Sequence, residues 1–303
     1  MFLGCGIQDY APYFEPPRPP PPANFSWSNV EKDGKILDYT TSVKAQPCFD
    51  CYIYASIALL EMQYQIDHNT IVNLDLSEQE IHNCMKISCF RAGDSGAILN
   101  YIGDFGIIGE RFAEENEWKA CRACDILPRY SFKRWKILIP NHILYKEKKQ
   151  ILINALKDGP IIVGIGDSAH YIEKNGIYEC IMGPGRRGSH AAVIIGYENF
   201  GELFIIKDSA GGEIRRFKFT GGKECEFAYT ASQIVAGTTY RFVDKSEFCY
   251  TERDMDADGI GDYEDNCYDI PNTDQKNTDG DILGDACDPC IDNIDANCKE
   301  GRE

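Results

Sequence analysis

The chain changes its hydrophobic period near its middle, and this change limits the folds that it can adopt. In the first half, apolar residues recur at helical spacing after Cys51, and 98–105 forms another such stretch. Between them, Ser77-Glu78-Gln79-Glu80 is a capping box, which predicts a helix starting at Ser77. The second half has strand character over 160–165, 191–197, 203–207 and 214–219. Helices followed by strands predict an α+β domain with two lobes and a cleft between them.

Composition divides the chain into three parts. Residues 16–22 are almost all proline, so we expect 1–23 to be an extended leader and linker. Globular sequence follows over 24–245. The tail, 246–303, is strongly acidic: 251–303 hold 17 Asp or Glu against 4 Lys or Arg, which is −13 of the formal net charge of −17.

Charge and hydropathy exclude two kinds of partner. No basic stripe offsets phosphate repulsion, so nucleic acid binding is not expected. No run of about 20 apolar residues is present, so we expect no membrane-spanning segment. Phe2-Leu3-Gly4-Cys5 resembles the end of a bacterial lipoprotein signal, which makes Cys5 a candidate for a lipid anchor. Nothing in the sequence predicts an oligomeric state.

The cysteine content indicates the compartment. Fourteen cysteines, many in loop-like surroundings, favour disulfides in an oxidising environment, so we expect an extracytoplasmic protein (secreted, periplasmic or at the cell surface). Zinc is the alternative, because Cys48-x-x-Cys51 and Cys121-x-x-Cys124 resemble half-sites. The other cysteines form no matching pairs around these two, which disfavours zinc.

Three polar residues stand where the predicted elements bring them together. Cys51 begins the apolar helix, His190 begins a β-hairpin, and Asp208 ends the second strand of that hairpin. A turn centred on Asn199 would place His190 directly opposite Asp208. The helix N-terminus and a nearby imidazolium both favour a thiolate at Cys51, and a carboxylate can orient the imidazole. The pattern predicts an activated thiol nucleophile with its acid beside it.

The sequence around these residues resembles the papain family of cysteine peptidases. Asn24-Phe25-Ser26-Trp27 is similar to the start of the mature family domain, and 42–46 is similar to the segment before its nucleophile. Two further stretches, 76–84 and 176–180, resemble family segments in the same order. The likeness covers about residues 24–240. It implies a two-lobed α+β domain, with a helical lobe and a β-barrel-like lobe.

The resemblance also implies roles for individual residues. Cys51 corresponds to the nucleophile, His190 to the general acid and base, and Asp208 to the residue that orients the imidazole. Gln46 would form the oxyanion hole together with the backbone N–H of Cys51. The remaining histidines, His68, His82, His142 and His170, are interpreted as ordinary solvated or packed residues.

This chain departs from the family pattern at several positions. Four residues separate Gln46 from Cys51 where the family usually has five, which would displace Gln46. Tyr52 and Ala210 replace tryptophans, and Asp208 replaces an asparagine. Since the tryptophan at the Ala210 position normally shields the imidazole and its partner, we expect that pair to be wetter here. Residues 89–93 replace a glycine-rich substrate pocket run, and no stretch before Asn24 resembles the family's inhibitory propeptide.

The resemblance implies a set of disulfides. These are Cys48–Cys89, Cys84 with Cys121 or Cys124, and Cys180–Cys225. The Cys48–Cys89 pairing would leave Cys51 as a thiol, which the chemistry requires.

The acidic tail carries a second pattern. Carboxylates recur at alternate positions, with a glycine at a sharp bend, between Asp254 and Asp265 and again between Asp279 and Asp285, and this arrangement suits Ca²⁺, which prefers hard oxygen ligands. The segment resembles thrombospondin type 3 repeats, which implies a small irregular Ca²⁺-binding tail with a Cys267–Cys287 disulfide. A disordered acidic tail is the alternative. The candidate ligands are Asp254, Asp256, Asp258, Ile260, Asp262, Asp265, Asp279, Asp281 and Asp285.

Taken together, the resemblances imply an extracytoplasmic cysteine endopeptidase with a structural Ca²⁺-binding tail. It would cleave a protein or peptide substrate through a thioester acyl-enzyme, with no cofactor for catalysis. One alternative is a papain-like pseudoenzyme that binds a peptide or a surface partner, which the departures favour. Another keeps the Cys-His-Asp group and transfers acyl groups to amines, as transglutaminases do. Thiol reactivity separates the pseudoenzyme from the enzymes, and amine incorporation separates the two enzymes.

Overall fold

A computed structural model describes residues 20–87, 93–110, 128–139, 145–165, 171–180, 190–219, 221–222, 225–242, 256, 258–260, 266–267, 270–279, 284–288 and 291–292. The chain divides into two compact units, Met1–Val243 and Asp244–Glu303. Within the described ranges, no helix combines the length and the apolar character needed to cross a bilayer.

The first unit has most of its helices before residue 110 and most of its strands after it, which confirms the predicted α+β class. Its helices are α1 (Cys51–Asp67), α2 (Glu78–Cys84), α3 (Ser95–Phe105) and α4 (Tyr145–Ala155). Its strands are β1 (Phe25–Ser26), β2 (Val30–Lys32), β3 (Lys35–Leu37), β4 (Ile107–Ile108), β5 (Arg129–Phe132), β6 (Trp135–Ile139), β7 (Ile161–Ile165), β8 (Tyr171–Lys174), β9 (Ile177–Cys180), β10 (His190–Glu198), β11 (Leu203–Asp208), β12 (Glu213–Lys218), β13 (Gly221–Gly222), β14 (Cys225–Glu226), β15 (Thr230–Ile234) and β16 (Thr239–Phe242).

Helix α1 is the central element of the helical lobe. Most of its residues are buried, including Ile53, Ile57 and Leu60, which are fully inaccessible to solvent. A helix that is buried on most sides needs little amphipathic character, because neighbouring elements cover it all round. Apolar side chains of α2 and α3, such as Ile81 and Ile102, belong to the same core.

Helix α2 begins at Glu78 with only half of the predicted capping box. The Ser77 hydroxyl accepts the backbone N–H of Glu80, at 3.2 Å between Oγ and N, as predicted. The Glu80 carboxylate does not return to the Ser77 N–H, which donates to the Ile108 carbonyl instead. The Glu80 carboxylate is not available to the Ser77 N–H, because it binds the Ile108 N–H and the fully buried guanidinium of Arg129. A tertiary ion pair therefore replaces the second half of a local motif.

Among the described residues, nine strands form the principal sheet. Eight of them follow the order β6-β15-β7-β10-β11-β12-β9-β8, and β1 pairs with β10 in addition. Strand β10 contributes to two hydrophobic cores. Val193 and Ile195 pack in the core built around α1, while Ala192 and Ile194 pack in the core of the β-rich lobe. This burial on both faces explains why 191–197 reads as a continuous apolar run.

A buried network of charges links α1 to β11 and to the extended segment before α1. Glu61 of α1 accepts a hydrogen bond from the Thr41 hydroxyl at 2.6 Å and lies 3.8 Å from the ammonium of Lys207 on β11. Lys44 bonds Glu78 at 2.8 Å and lies 3.7 Å from Glu61. Burial lowers the pKa of Lys207, and burial raises the pKa of Glu78 to about 8. Pairing offsets the cost of taking these charges out of water.

The second unit is described by turns around a disulfide. Cys267 and Cys287 are bonded, with their Cα atoms 5.6 Å apart, which confirms the predicted pairing. Gly284 lies against the side chain of Asn266, where an added Cβ would come within 2.2 Å of the amide oxygen, so the position requires glycine.

Other predicted disulfides fall partly outside the described residues. Cys48 and Cys84 are both disulfide-bonded. Their predicted partners Cys89, Cys121 and Cys124 lie outside the described residues, and the Cys180–Cys225 pairing stays a prediction. Residues 1–19 of the predicted leader, including Cys5, also lie outside the described residues, as do His142 and His170.

The buried Arg129–Glu80 pair gives a testable prediction about stability. We expect Arg129→Met to lower the free energy of unfolding by about 3–5 kcal/mol, because it leaves the Glu80 carboxylate buried without its cation. Urea unfolding followed by circular dichroism measures this loss. Lys149→Met is the matched control, since it removes a more exposed ion pair with Glu202 and should cost far less. Equal losses in the two variants would contradict the prediction.

Candidate active site

Cys51 is the first residue of α1 and is buried, with 6 % of its surface exposed. It is a thiol, not half of a disulfide. Its sulfur accepts the backbone N–H of Ala191 at 3.3 Å between N and Sγ. The helix N-terminus and this N–H both favour negative charge on sulfur. The prediction that Cys51 opens the helix is confirmed, and the Ala191 N–H is a hydrogen-bond donor to its sulfur that the sequence did not predict.

His190 lies between the thiol and Asp208. Its Nε2 is 2.7 Å from Oδ1 of Asp208, and its side chain also hydrogen-bonds the thiol of Cys51. Because Nε2 faces the carboxylate, Nδ1 is the ring nitrogen that remains for sulfur. The Ala210 N–H donates to the same Asp208 oxygen at 2.9 Å, which fixes the orientation of the carboxylate. The structure thus brings the three predicted residues together in the order thiol, imidazole, carboxylate.

The predicted hairpin register is wrong, although the contact that it was meant to explain exists. Val193 pairs with Lys207, so continuing the ladder places Asp208 beside Ala192, two residues along from His190. The turn causes the difference, because it is centred between Phe200 and Gly201 and not on Asn199, and the bulge between Ile194 and Gly196 offsets part of this shift. The imidazole and the carboxylate are therefore diagonal neighbours. They still meet because diagonal partners on one face lie within reach of longer side chains.

The pair is also drier than the sequence predicts. Asp208 is 1 % exposed and the side chain of His190 is 13 % exposed. Burial alone lowers the pKa of His190, but its hydrogen bonds to Asp208 and Cys51 and the charges of both outweigh this effect, and the pKa rises to about 9. His190 is therefore an imidazolium at neutral pH.

Gln46 is held close to Cys51, His190 and Asp208 by hydrogen bonds at both the nitrogen and the oxygen of its side-chain amide. Its Nε2 donates to the Cys48 carbonyl at 2.6 Å, and its Oε1 accepts the hydroxyl of Ser209 at 2.8 Å. The backbone N–H of Gln46 also donates to the carbonyl of Ser209. Gln46 is thus anchored to the residue after Asp208, and one amide hydrogen remains beyond the bond to Cys48. Its role in an oxyanion hole stays a prediction.

Tyr52, which follows the thiol, packs against Gly93. A Cβ added at Gly93 would lie 2.4 Å from the Tyr52 ring, so this position requires glycine. A cavity of about 200 Å³ is lined by Tyr52, Met85, Ile87, Asp94 and Ala97 beside the same glycine. Of the run expected to line a substrate pocket, residues 89–92 lie outside the described residues.

A second histidine–carboxylate pair, which sequence reasoning missed, lies directly before the thiol. Asp50 is the N-cap residue of α1 and is 1 % exposed, and its Oδ2 is 3.1 Å from Nε2 of His82. The other ring nitrogen of His82 lies 3.0 Å from the carbonyl oxygen of Ile87. Both ring nitrogens face acceptors, so both must carry protons and His82 is an imidazolium. The hydrogen bond that His82 donates to Asp50 is the main cause that raises the pKa of His82.

The predicted Ca²⁺ ligands are only partly within the described residues. Asp258 accepts backbone N–H groups from Ile260 and Asn272, at 2.8 and 2.7 Å. Asp285 accepts the backbone N–H of Thr278 at 2.6 Å. In the described parts of the chain, no group of three or more His, Cys, Asp or Glu side chains is arranged to hold a metal ion. The candidates outside the described residues are Asp254, Asp262, Asp265 and Asp281.

Comparison with known proteins agrees with this geometry. The family model described as "Papain family cysteine protease" matches residues 22–235. The viral cathepsin of Orgyia pseudotsugata multicapsid polyhedrosis virus is 26 % identical over 202 residues, which cover 64 % of this chain and 57 % of that protein. The viral cathepsin of Choristoneura fumiferana nuclear polyhedrosis virus is 28 % identical over 207 residues, covering 65 % and 58 %. The chain thus matches less than two thirds of the length of these relatives.

Solved structures show the same fold. The Carica candamarcensis cysteine protease CMS1MS2, in complex with E-64, aligns with a TM-score of 0.55 and 23 % identity over 71 % of this chain and 99 % of that one. The bromelain protease of Ananas comosus, in complex with the E64 inhibitor, aligns with a TM-score of 0.56 and 21 % identity over 71 % and 99 %.

The Asp50–His82 pair predicts a pH-dependent contribution to stability. A raised pKa in the folded state means that the pair stabilises fully below the unfolded pKa of about 6.5 and loses that stabilisation as the pH rises through the folded pKa. We therefore expect His82→Gln to cost about 1 kcal/mol at pH 5.5 and less at each higher pH.

Urea unfolding at several pH values measures this difference between the variant and the unmodified protein. His68→Gln is the control, because its ring nitrogen faces the Thr239 carbonyl and not a carboxylate. A cost of His82→Gln that does not change with pH would contradict a charged pair.

Proposed function

This chain belongs to the papain family of cysteine proteases, and we propose that it is a cysteine endopeptidase that hydrolyses peptide bonds through a thioester acyl-enzyme. The observation that carries this proposal is the line of contacts from the Cys51 sulfur through His190 to Asp208. A buried thiol beside an imidazolium is an activated nucleophile with its acid already in place. These contacts favour the enzyme over the peptide-binding pseudoenzyme.

The proposed reaction has two halves. The Cys51 thiolate attacks the scissile carbonyl carbon, and the carbonyl oxygen becomes an oxyanion that the Cys51 N–H and Gln46 stabilise. The His190 imidazolium then gives its proton to the amine as the C–N bond breaks, which leaves a thioester. In the second half, neutral His190 takes a proton from water, which attacks the thioester and releases the acid and the thiolate. Asp208 orients the imidazole throughout.

The tail is proposed to be a structural Ca²⁺-binding spacer of the thrombospondin type 3 kind, outside the chemistry. The donor chemistry supports this, because closely spaced carboxylates supply the oxygen ligands that hard cations prefer. The Cys267–Cys287 disulfide also supports it, since neighbouring repeats of that kind are linked in this way. Disulfides and a Ca²⁺ site both suit an extracytoplasmic location, which is part of the proposal.

Thiol labelling tests the peptidase proposal. We expect an epoxysuccinyl inhibitor to modify Cys51 alone in the non-reduced protein, and mass spectrometry locates the adduct. His190→Ala should slow this labelling by about 100-fold or more, because it removes the imidazolium that sustains the thiolate. Cys51→Ala should abolish both the labelling and the cleavage of an unfolded protein substrate.

His82→Ala is the control for loss of a histidine near the thiol, and its labelling should fall much less than that of His190→Ala. A labelling rate of Cys51 that is the same with and without His190 would contradict the enzyme proposal. Incorporation of a primary amine in place of hydrolysis would make the protein an acyltransferase.

Calcium titration of the full chain tests the tail proposal. We expect amides of 254–288 to exchange hydrogen more slowly as Ca²⁺ rises through about 0.1–1 mM, the range of extracellular modules. Asp279→Asn should weaken this response, whereas Asp274→Asn, which changes an aspartate outside the predicted ligand set, should not. No protection at 5 mM Ca²⁺, or equal protection by Mg²⁺, would contradict the proposal.

A further inference from the structure

The carboxylate beside His190 is shared with a cation from a neighbouring strand. Oδ1 of Asp208 faces His190, and Oδ2 lies 2.7 Å from Nη1 of Arg215. Both groups are largely withdrawn from water, with side-chain exposures of 1 % for Asp208 and 15 % for Arg215. A charge pair in such surroundings is far less screened than an ion pair at the surface. The charge that His190 experiences is therefore set by Asp208 and Arg215 together.

The fold holds Arg215 firmly in this position. Strands β11 and β12 pair with Asp208 opposite Glu213, so Arg215 is two residues further along on the same face. Glu213 binds the guanidinium through one oxygen, at 2.8 Å from Nε and 2.7 Å from Nη2. An added Cβ at Gly211 would come within 2.5 Å of Nη2, so the glycine leaves room for the guanidinium.

An aromatic side chain supports the guanidinium from the next strand. The guanidinium carbon of Arg215 lies 5.0 Å from the centre of the Tyr178 ring, and Tyr178 stacks on Phe217. An arginine over an aromatic face is stabilised by the charge distribution of the ring. Arg216, the next residue along, has the opposite orientation: its side chain is 56 % exposed and pairs with Glu198.

We propose that Arg215 is a positioning residue of the active site, which balances the charge of Asp208 and, with Tyr178, covers the outer side of the Asp208–His190 pair. This inference rests on the proposed peptidase function. A lone buried carboxylate would hold the imidazolium proton more tightly and make His190 a weaker acid. Arg215 offsets that charge, so that the pair acts more like a neutral acceptor, as an asparagine would.

Among the described residues, the other ionisable groups around His190 and Arg215 lie on α1, β9, β11 and β12 and directly before β15. Cys51 faces it from α1, Asp208 faces it from β11, and Glu213 lies behind Arg215 on β12. Tyr229, before β15, interacts with Cys51, and burial raises the pKa of its phenol above the ordinary value, so it stays neutral through the relevant pH range. A shift in the titration of His190 on changing Arg215 therefore reports the loss of the Arg215 charge, which faces both Asp208 and Glu213.

A double-mutant cycle tests the proposal with Arg215→Gln, Asp208→Asn and the two combined. The pH dependence of kcat/KM has its alkaline limit where His190 loses its proton, expected at about 9 in the unmodified protein. Arg215→Gln should raise this limit by about 0.5–1 pH unit, and Asp208→Asn should lower it by about 1, because each leaves one charge uncompensated. The double variant, which is neutral at both positions, should return to within about 0.3 of the unmodified limit.

Activity should follow the same pattern. We expect each single change to reduce kcat/KM by about 10-fold and the double change to recover most of that loss. Arg216→Gln is the matched control on the same strand and should leave the pH profile unchanged. Arg215→Lys keeps the charge without the planar fork, and should keep the alkaline limit within about 0.3 of the unmodified value.

The rate of Cys51 alkylation by iodoacetamide over the same pH range also reports the loss of the His190 proton, and it requires no peptide cleavage. If no protein in the set cleaves peptides but the alkylation profiles shift as above, the inference stands and the peptidase proposal fails. If Arg215→Gln leaves the alkaline limit unchanged, or if the double variant stays at the limit of Asp208→Asn, Arg215 has only a structural role and the inference is overturned. A shift in Arg215→Lys as large as that of Arg215→Gln would also overturn it. Should Arg215→Gln not fold, the comparison of Asp208→Asn with the double variant decides.

Discussion

The contact between the first turn of α1 and strand β10 is the constraint on which the site depends. Cys51 and His190 come from elements far apart in sequence, and the Ala191 N–H joins their two elements at 3.3 Å from the sulfur. Neither element is free to move. Most of α1 is buried, and β10 packs into one core with Val193 and into the other with Ala192. Because interiors are close-packed, a shift of either element would disturb both cores, so the thiol and the imidazole are held at a fixed distance.

Pairs of buried charges also hold the site in place. One member of each pair is adjacent in sequence to a residue of the site. Asp50, paired with His82, directly precedes the thiol, and Lys207, close to Glu61, directly precedes Asp208. Burying a charge is costly unless its partner is near, so each pair fixes the relative position of two elements once it is formed. The pairs therefore contribute more to the placement of the site than to the net free energy of unfolding.

Local patterns in the sequence predict most of this fold but not the contacts between distant segments. The helix after Cys51, the start of α2 and the β10–β11 hairpin follow from periodicity and capping residues. The register of the hairpin does not, because it depends on where the turn is centred and on a bulge between Ile194 and Gly196, and spacing alone reveals neither. His82 and Arg215 look like ordinary polar residues of a helix and a strand. Their roles depend on which buried carboxylate each one meets, and this is known only after the chain has folded.

The departures from the family pattern become coherent when they are considered as one set. An aspartate in place of asparagine brings a charge into a dry site, and Ala210 in place of tryptophan removes the usual cover. Arg215 compensates for both changes. Its guanidinium pairs with Oδ2 of Asp208 and lies over the Tyr178 ring at the outer side of the Asp208–His190 pair. The backbone N–H of Ala210 still donates to Oδ1 of Asp208, and this hydrogen bond does not depend on the side chain at position 210. Asp208 or Ala210 alone would weaken the site. Together with Arg215 they are compatible, because the guanidinium balances the carboxylate charge and covers the pair.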